Sequence, residues 1–170
     1  MRHEMRFTGA GGQGIILASV ILTEAAMLAG FNGVQSQSYG PEARGGVCKA
    51  EVIISDGNIG FVKVVKPTFL LALTQSSLDR YSAGLDKDCI IIADASLTAP
   101  KGIDVIFKPI IETAKEKVGK SFVSNIVALG TINAHLKIVP FDALKNAVLK
   151  YVPKGTDAIN IKALEAGAAL

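Results

Sequence analysis

The sequence contains no tryptophan, two cysteines and two histidines in 170 residues, and only 6% of it is aromatic. Cys48 and Cys89 have neither Cys-x-x-Cys spacing nor a histidine nearby, so this chain alone cannot supply the thiolates of an iron–sulfur cluster or a structural zinc site. Both read as small buried hydrophobes. His3 stands near a terminus and His135 at the end of an apolar helix, positions more often structural than catalytic, and no Ser-His-Asp or Cys-His arrangement is legible. No apolar run approaches the roughly 20 residues of a membrane span. Met1 to Arg6 carries charges and leads into a glycine-rich turn, so the apolar core of a signal peptide is missing and the expected location is the cytoplasm. The net charge of +3 and isoelectric point near 8.9 are mild. With lysines scattered and no aromatic-interleaved basic run, nucleic acid is not an expected partner.

What is abundant is apolar material. Hydrophobic residues make up 49% of the chain against 19% charged, and the mean hydropathy is +0.39. A chain of this length fits one domain, here residues 1–170, with one core. The apolar surplus then has to be covered elsewhere, which points to a partner subunit. The alanine-rich stretch from Asp157 to Ala169, with little apparent to pack on internally, reads as a docking helix.

The order of elements predicts an α/β fold. Glu4 to Thr8 reads as a strand that ends in Gly9-Ala10-Gly11-Gly12-Gln13-Gly14, and Ile15 to Ala29 has helical apolar spacing until Gly30 stops it. Strand patterns follow at Val34 to Tyr39, Val47 to Ser55, Phe69 to Thr74, Cys89 to Asp94 and Val105 to Lys108, and Ile90-Ile91-Ile92 looks buried on both faces. Asp56-Gly57 predicts a hairpin from Val47–Ser55 into Ile59–Val65. The last third reads as helices over Ile110 to Val118, Ser124 to Leu136, Asp142 to Val152 and Asp157 to Ala169, with Pro140 and Pro153 as separators. The expected architecture is a single doubly wound, mainly parallel sheet with an antiparallel hairpin portion and a helical C-terminal third.

Two motifs carry the chemistry. Gly9, Gly11 and Gly14 satisfy G-x-G-x-x-G between a strand and a helix, a setting that brings backbone amides and the positive end of a helix to a phosphate. A dinucleotide site would add an acidic residue about 20 positions on, where this chain has Gln35-Ser36-Gln37-Ser38. The P-loop pattern with its lysine is absent too. What remains is a glycine turn that tolerates an anion, or one whose glycines serve close backbone packing. The second motif is Tyr39-Gly40-Pro41-Glu42-Ala43-Arg44-Gly45-Gly46, in which breakers on both sides specify the backbone while Glu42 and Arg44 project from a loop at a strand end. An ordinary solvated ion pair there would be worth under about 1 kcal/mol.

Gly11-Gly12-Gln13-Gly14, the string from Gln37 through Tyr39-Gly40-Pro41-Glu42-Ala43-Arg44-Gly45-Gly46, the strand Lys49 to Ser55, and Asn125-Ile126-Val127-Ala128-Leu129-Gly130 at a helix start resemble the gamma subunit of 2-oxoacid:ferredoxin oxidoreductases. The resemblance spans nearly the whole chain and is closer to 2-oxoglutarate or branched-chain 2-oxoacid enzymes than to pyruvate enzymes. It implies a subunit without independent activity, in an oxidoreductase that acts on an oxo group with an iron–sulfur acceptor. Thiamine diphosphate, magnesium and [4Fe–4S] clusters would belong to alpha, beta and ferredoxin-like delta subunits, coenzyme A would be the co-substrate, and ferredoxin would take the electrons. No cofactor or metal is expected on this chain alone, and no catalytic residue. Gly9, Gly11, Gly12, Gln13 and Gly14 are the expected contacts for a phosphate of coenzyme A. Tyr39, Gly40, Pro41, Glu42, Arg44, Gly45, Gly46 and Asn125 would face a partner or the substrate path. The alternatives are a subunit for another 2-oxoacid, a free-standing nucleotide- or phosphate-binding module, and a purely structural adaptor.

Overall fold

The computed structural model describes residues 1–38 and 46–170. Strand β1 (Arg2–Ala10) leads into helix α1 (Ile15–Leu28) and strand β2 (Asn32–Ser38), followed by β3 (Val47–Ser55) and β4 (Phe69–Ala72). Helix α2 (Gln75–Ser82), strands β5 (Ile90–Asp94) and β6 (Ile106–Lys108), the short helix α3 (Ile110–Glu112) and helices α4 (Ser124–Leu136), α5 (Phe141–Tyr151) and α6 (Asp157–Ala168) complete the order. The sheet runs β2-β3-β1-β4-β5-β6. β1, β4, β5 and β6 pair in parallel, while β3 lies antiparallel between β1 and β2. Among the described strands only β3 therefore points against the rest, and the mainly parallel reading holds.

Alternation along the strands builds two cores. Met5, Phe7, Ala50, Val52, Ile54, Phe69, Leu71 and Ile92 face α1, α4, α5 and α6 in one large cluster. Leu70, Ala72, Ile91 and Ala93 face the other way, against Leu78 of α2. That sidedness follows from the two-residue repeat of a strand. Apolar residues occur around most of α1, and the helix is accordingly wedged between the sheet and α5, with Ile21, Leu22, Ala25 and Ala26 fully buried.

The hairpin expected at Asp56-Gly57 does not form. Both edges of β3 are already taken, by β1 and β2, so a strand leaving Ser55 has no free edge to pair with. Instead, residues 56–68 cross irregularly to β4, and the antiparallel portion is made by β3 with its two neighbours. A second correction concerns α6, whose small residues pack internally on α4. A side chain on Gly130 would overlap the Leu164 carbonyl, one on Gly167 would overlap the Val127 carbonyl, and Thr131 Oγ1 donates 3.0 Å bonds to the carbonyls of both Val127 and Gly167. The alanines and glycines are what permit this close approach. The helix expected over 110–118 opens as the α turn of α3 and continues as a π-helix, Thr113–Val118, ended by Gly119 at φ 92°. Cys48 and Cys89 are half-buried instead of fully enclosed.

Candidate functional site

The glycine turn stands at the C-terminal end of β1. Parallel α/β sheets gather their binding surfaces at this edge, because the amino ends of the following helices converge there. Gln13 N–H donates to the Ala10 carbonyl at 3.2 Å and the Gln13 side chain folds back to accept the Ala10 N–H at 2.7 Å, so that residue spends its amide oxygen on the turn. Gly9 leaves room for that oxygen. Gly12 (φ 88°) and Gly14 (φ 71°) occupy left-handed backbone, which L-side chains rarely adopt. Gly14 is the N-cap of α1, with no side chain capping it. Gly11 and Gly12 are exposed. The N-terminus of α2 is closed by its own reciprocal Thr74–Ser77 box, so its first amides are partly spent.

Asn125, far away in sequence, belongs to the same constellation. Its side chain is buried against Gly14, where a β-carbon would collide with it, and its Nδ2 donates to the Gly14 carbonyl at 3.3 Å. The start of α4 is thereby pinned to the start of α1. Residues 39–45, which carry Tyr39, Gly40, Pro41, Glu42, Arg44 and Gly45, lie outside the described residues. The register nevertheless fixes where the segment leaves and returns: Ser38 pairs with Lys49, and Val47 pairs with Ala10. Gly46 thus precedes the residue beside the last residue of β1.

Asp94, unremarked in the sequence, is buried at the end of β5 on the same edge of the sheet. It accepts from the Ser96 N–H at 3.0 Å, the Ser96 hydroxyl at 2.6 Å and the Ile111 N–H at 2.8 Å, so it joins the β5 turn to the start of α3 and borders an open cleft of about 470 Å³. An acid closing a strand of Ile and Ala was the available signal. Gln75 clamps the same loop through the Thr98 N–H (2.9 Å) and carbonyl (3.0 Å).

Metal chemistry has no seat among the described residues, where no group of three His, Cys, Asp or Glu comes together. Burial raises both thiols above their ordinary range, Cys89 to about 11, which opposes the thiolate form that ligation requires. His135 is exposed. His3 on β1 has its basicity lowered by burial and by the neighbouring amino terminus. Neither histidine adjoins the glycine turn.

An open α/β sheet with a glycine turn at the C-terminal ends of its parallel strands defines the class of fold, one that gathers its binding surface there. Residues 4–170 match the pyruvate ferredoxin/flavodoxin oxidoreductase family, and the chain belongs to it. The 2-oxoglutarate synthase subunit KorC of Methanocaldococcus jannaschii is 42% identical over 98% of this chain and 92% of its own length. KorC of Methanothermobacter marburgensis is 40% identical over 98% and 95%. The crystal structure of a keto/oxoacid ferredoxin oxidoreductase gamma subunit from Geobacter sulfurreducens superposes with a TM-score of 0.88 at 46% identity, covering 98% of this chain and 94% of that one. In the ketoisovalerate oxidoreductase subunit VorA of Methanothermobacter marburgensis the similarity (33% identity, 96% of this chain) takes up 35% of a longer polypeptide.

Proposed function

We propose that this chain is the gamma subunit of a 2-oxoglutarate:ferredoxin oxidoreductase, a single-domain part of a hetero-oligomer that oxidatively decarboxylates a 2-oxoacid onto coenzyme A and passes the electrons to ferredoxin. The observation that carries it is near end-to-end similarity to several KorC subunits. Thiamine diphosphate, magnesium and [4Fe–4S] clusters would reside on alpha, beta and delta partners. No helix of the described residues is long and apolar enough to cross a membrane, which suits a subunit working with ferredoxin in the cytoplasm.

This subunit's own contribution is the surface at the carboxyl end of β1. The amides of Gly11, Gly12 and Gly14 and the uncapped start of α1 offer donors and a partial positive charge to a phosphate of coenzyme A. Arg44, between β2 and β3 in sequence, would supply a planar fork for phosphate or carboxylate. Asn125 holds Gly14 in place.

The test is reconstitution of the purified chain with the neighbouring oxidoreductase subunits from its own genome, followed by 2-oxoglutarate- and coenzyme A-dependent reduction of viologen. Activity with 2-oxoglutarate that disappears when this subunit is omitted is expected. Activity with only a branched-chain oxoacid or pyruvate moves the assignment within the family. A soluble monomer that joins no partner and tightly binds a free nucleotide overturns it.

A further inference from the structure

The crossover from β3 to β4 presents apolar side chains that none of the described residues covers. Phe61, Val62 and Val65 are 56%, 51% and 69% exposed, while Val64 and Pro67 between and beside them are buried. The segment is anchored at the end that leads into β4. Val65 N–H donates to Glu4 Oε2 at 3.3 Å, and Thr68 N–H donates to the Glu4 carbonyl at 2.7 Å and accepts from Ile90 N–H at 3.1 Å through its own carbonyl. With its end held by these bonds and Val64 buried among outward apolar neighbours, part of the ordering cost of binding is met before a partner arrives. Its sequence, Ile59 to Val65, also has the composition of a strand, yet the edges it could have joined on β3 are occupied.

We propose that residues 59–66 form a docking strap for a larger, non-identical subunit that presents an apolar cleft rimmed by carboxylates. The proposal rests on the subunit reading above. Two observations select this occupant. Lys63 and Lys66 are exposed on the strap, while nearby Glu4 is engaged by Arg2 at 2.8 Å and Asp86 reaches Lys66 only at 4.0 Å, so the surface offers positive charge to a partner. A two-fold pairing of this chain with itself would bring the same patch face to face and set those lysines against their own copies. In addition, the same unit occupies about a third of the longer VorA polypeptide. In VorA the unit is joined to a larger, non-identical stretch of chain, and a subunit of that kind would cover an apolar surface left open here.

The experiment uses the full chain, with the separately purified large subunit of the same organism as probe. Affinity is followed by calorimetry, and oligomeric state by light scattering. Val65→Asp and Phe61→Ala are expected to keep the thermal midpoint of the isolated chain, because both side chains are exposed, and to weaken association by roughly tenfold or more. Lys63→Glu with Lys66→Glu is expected to slow association and to flatten its salt dependence. Unchanged affinity in these variants, with the wild type assembling normally, overturns the strap and leaves the functional reading standing. Failure of the wild type to bind the large subunit at all sinks both. A homodimer of the wild type that Val65→Asp dissolves would make a second copy the occupant and overturn the assignment to a different subunit.

Discussion

Cys89 departs far from the ordinary chemistry of its residue type. Burial pushes its thiol up to about 11; Arg6 partly offsets this and Asp86 adds to it. The thiolate is then only about one part in ten thousand at pH 7, so an alkylating reagent should label native Cys89 far more slowly than the unfolded chain. The rate should climb with pH through 9 and 10. Labelling at the rate of a free thiol at pH 7, measured by mass spectrometry on the native protein, would contradict the burial account. Gly14 poses a backbone question instead. Alanine there must adopt φ near 71° and displace the buried Asn125 side chain, so Gly14→Ala should cost roughly 1–3 kcal/mol in urea unfolding. Asn125→Ala, which removes the colliding amide, should make the added methyl easier to tolerate. A simple sum of the two effects in the double variant would show that the contact carries no coupling.

Between elements, the α4–α6 crossing sets two physical effects against each other. On helix propensity alone, glycine to alanine would stabilise by about 1 kcal/mol. At Gly130 and Gly167 the methyl would enter the neighbouring backbone, and overpacking of this kind costs roughly 1–3 kcal/mol. Each variant should therefore unfold at lower denaturant than the wild type, and a rise in midpoint would mean the helices can separate freely. α1 and α5 are tied by charge. Lys150 Nζ donates to Glu24 at 2.7 Å and the Tyr151 hydroxyl donates to the same carboxylate at 3.1 Å. Chiefly through the Lys150 bond, the Glu24 carboxyl is held below its ordinary range, and the Lys150 ammonium is held above its own. The pair's stabilisation is thus complete between the two ordinary ranges. It is lost as pH falls through the depressed carboxyl value, and again as pH rises through the raised ammonium value. Glu24→Gln should be less stable than the wild type at pH 7, with the gap closing toward pH 3. A gap independent of pH would assign the effect to packing.

At the scale of the whole molecule, the prediction concerns Arg44, which lies in sequence between β2 and β3. Arg44→Ala should leave the unfolding midpoint of the isolated chain in place. In the reconstituted complex it should weaken assembly or turnover by an amount corresponding to about 1–3 kcal/mol, the worth of a hydrogen bond to a charged group. Arg44→Lys should recover part, since an ammonium cannot present a planar fork. Wild-type values for both size-exclusion behaviour and viologen reduction in Arg44→Ala would make the loop an ordinary solvated turn.

The sequence by itself determined what is local. Val47–Ser55 and Ser124–Leu136 were legible at their observed bounds because alternating or helical apolar spacing and nearby breakers act within a few residues. The glycine turn was legible because left-handed backbone strongly favours glycine. Only the tertiary structure decided what depends on which edges and faces are already taken. Asp56-Gly57 has the residues of a hairpin, and β1 and β2 had filled both edges of β3. The alanines of α6 look unpacked until α4 approaches closely enough for backbones to touch at Gly130 and Gly167. Asn125 acquires its role only when α4 lies beside α1, where one amide reaches the Gly14 carbonyl across the whole chain. Pairing and close packing are exclusive in space, and a sequence read one window at a time does not register which partner has arrived first.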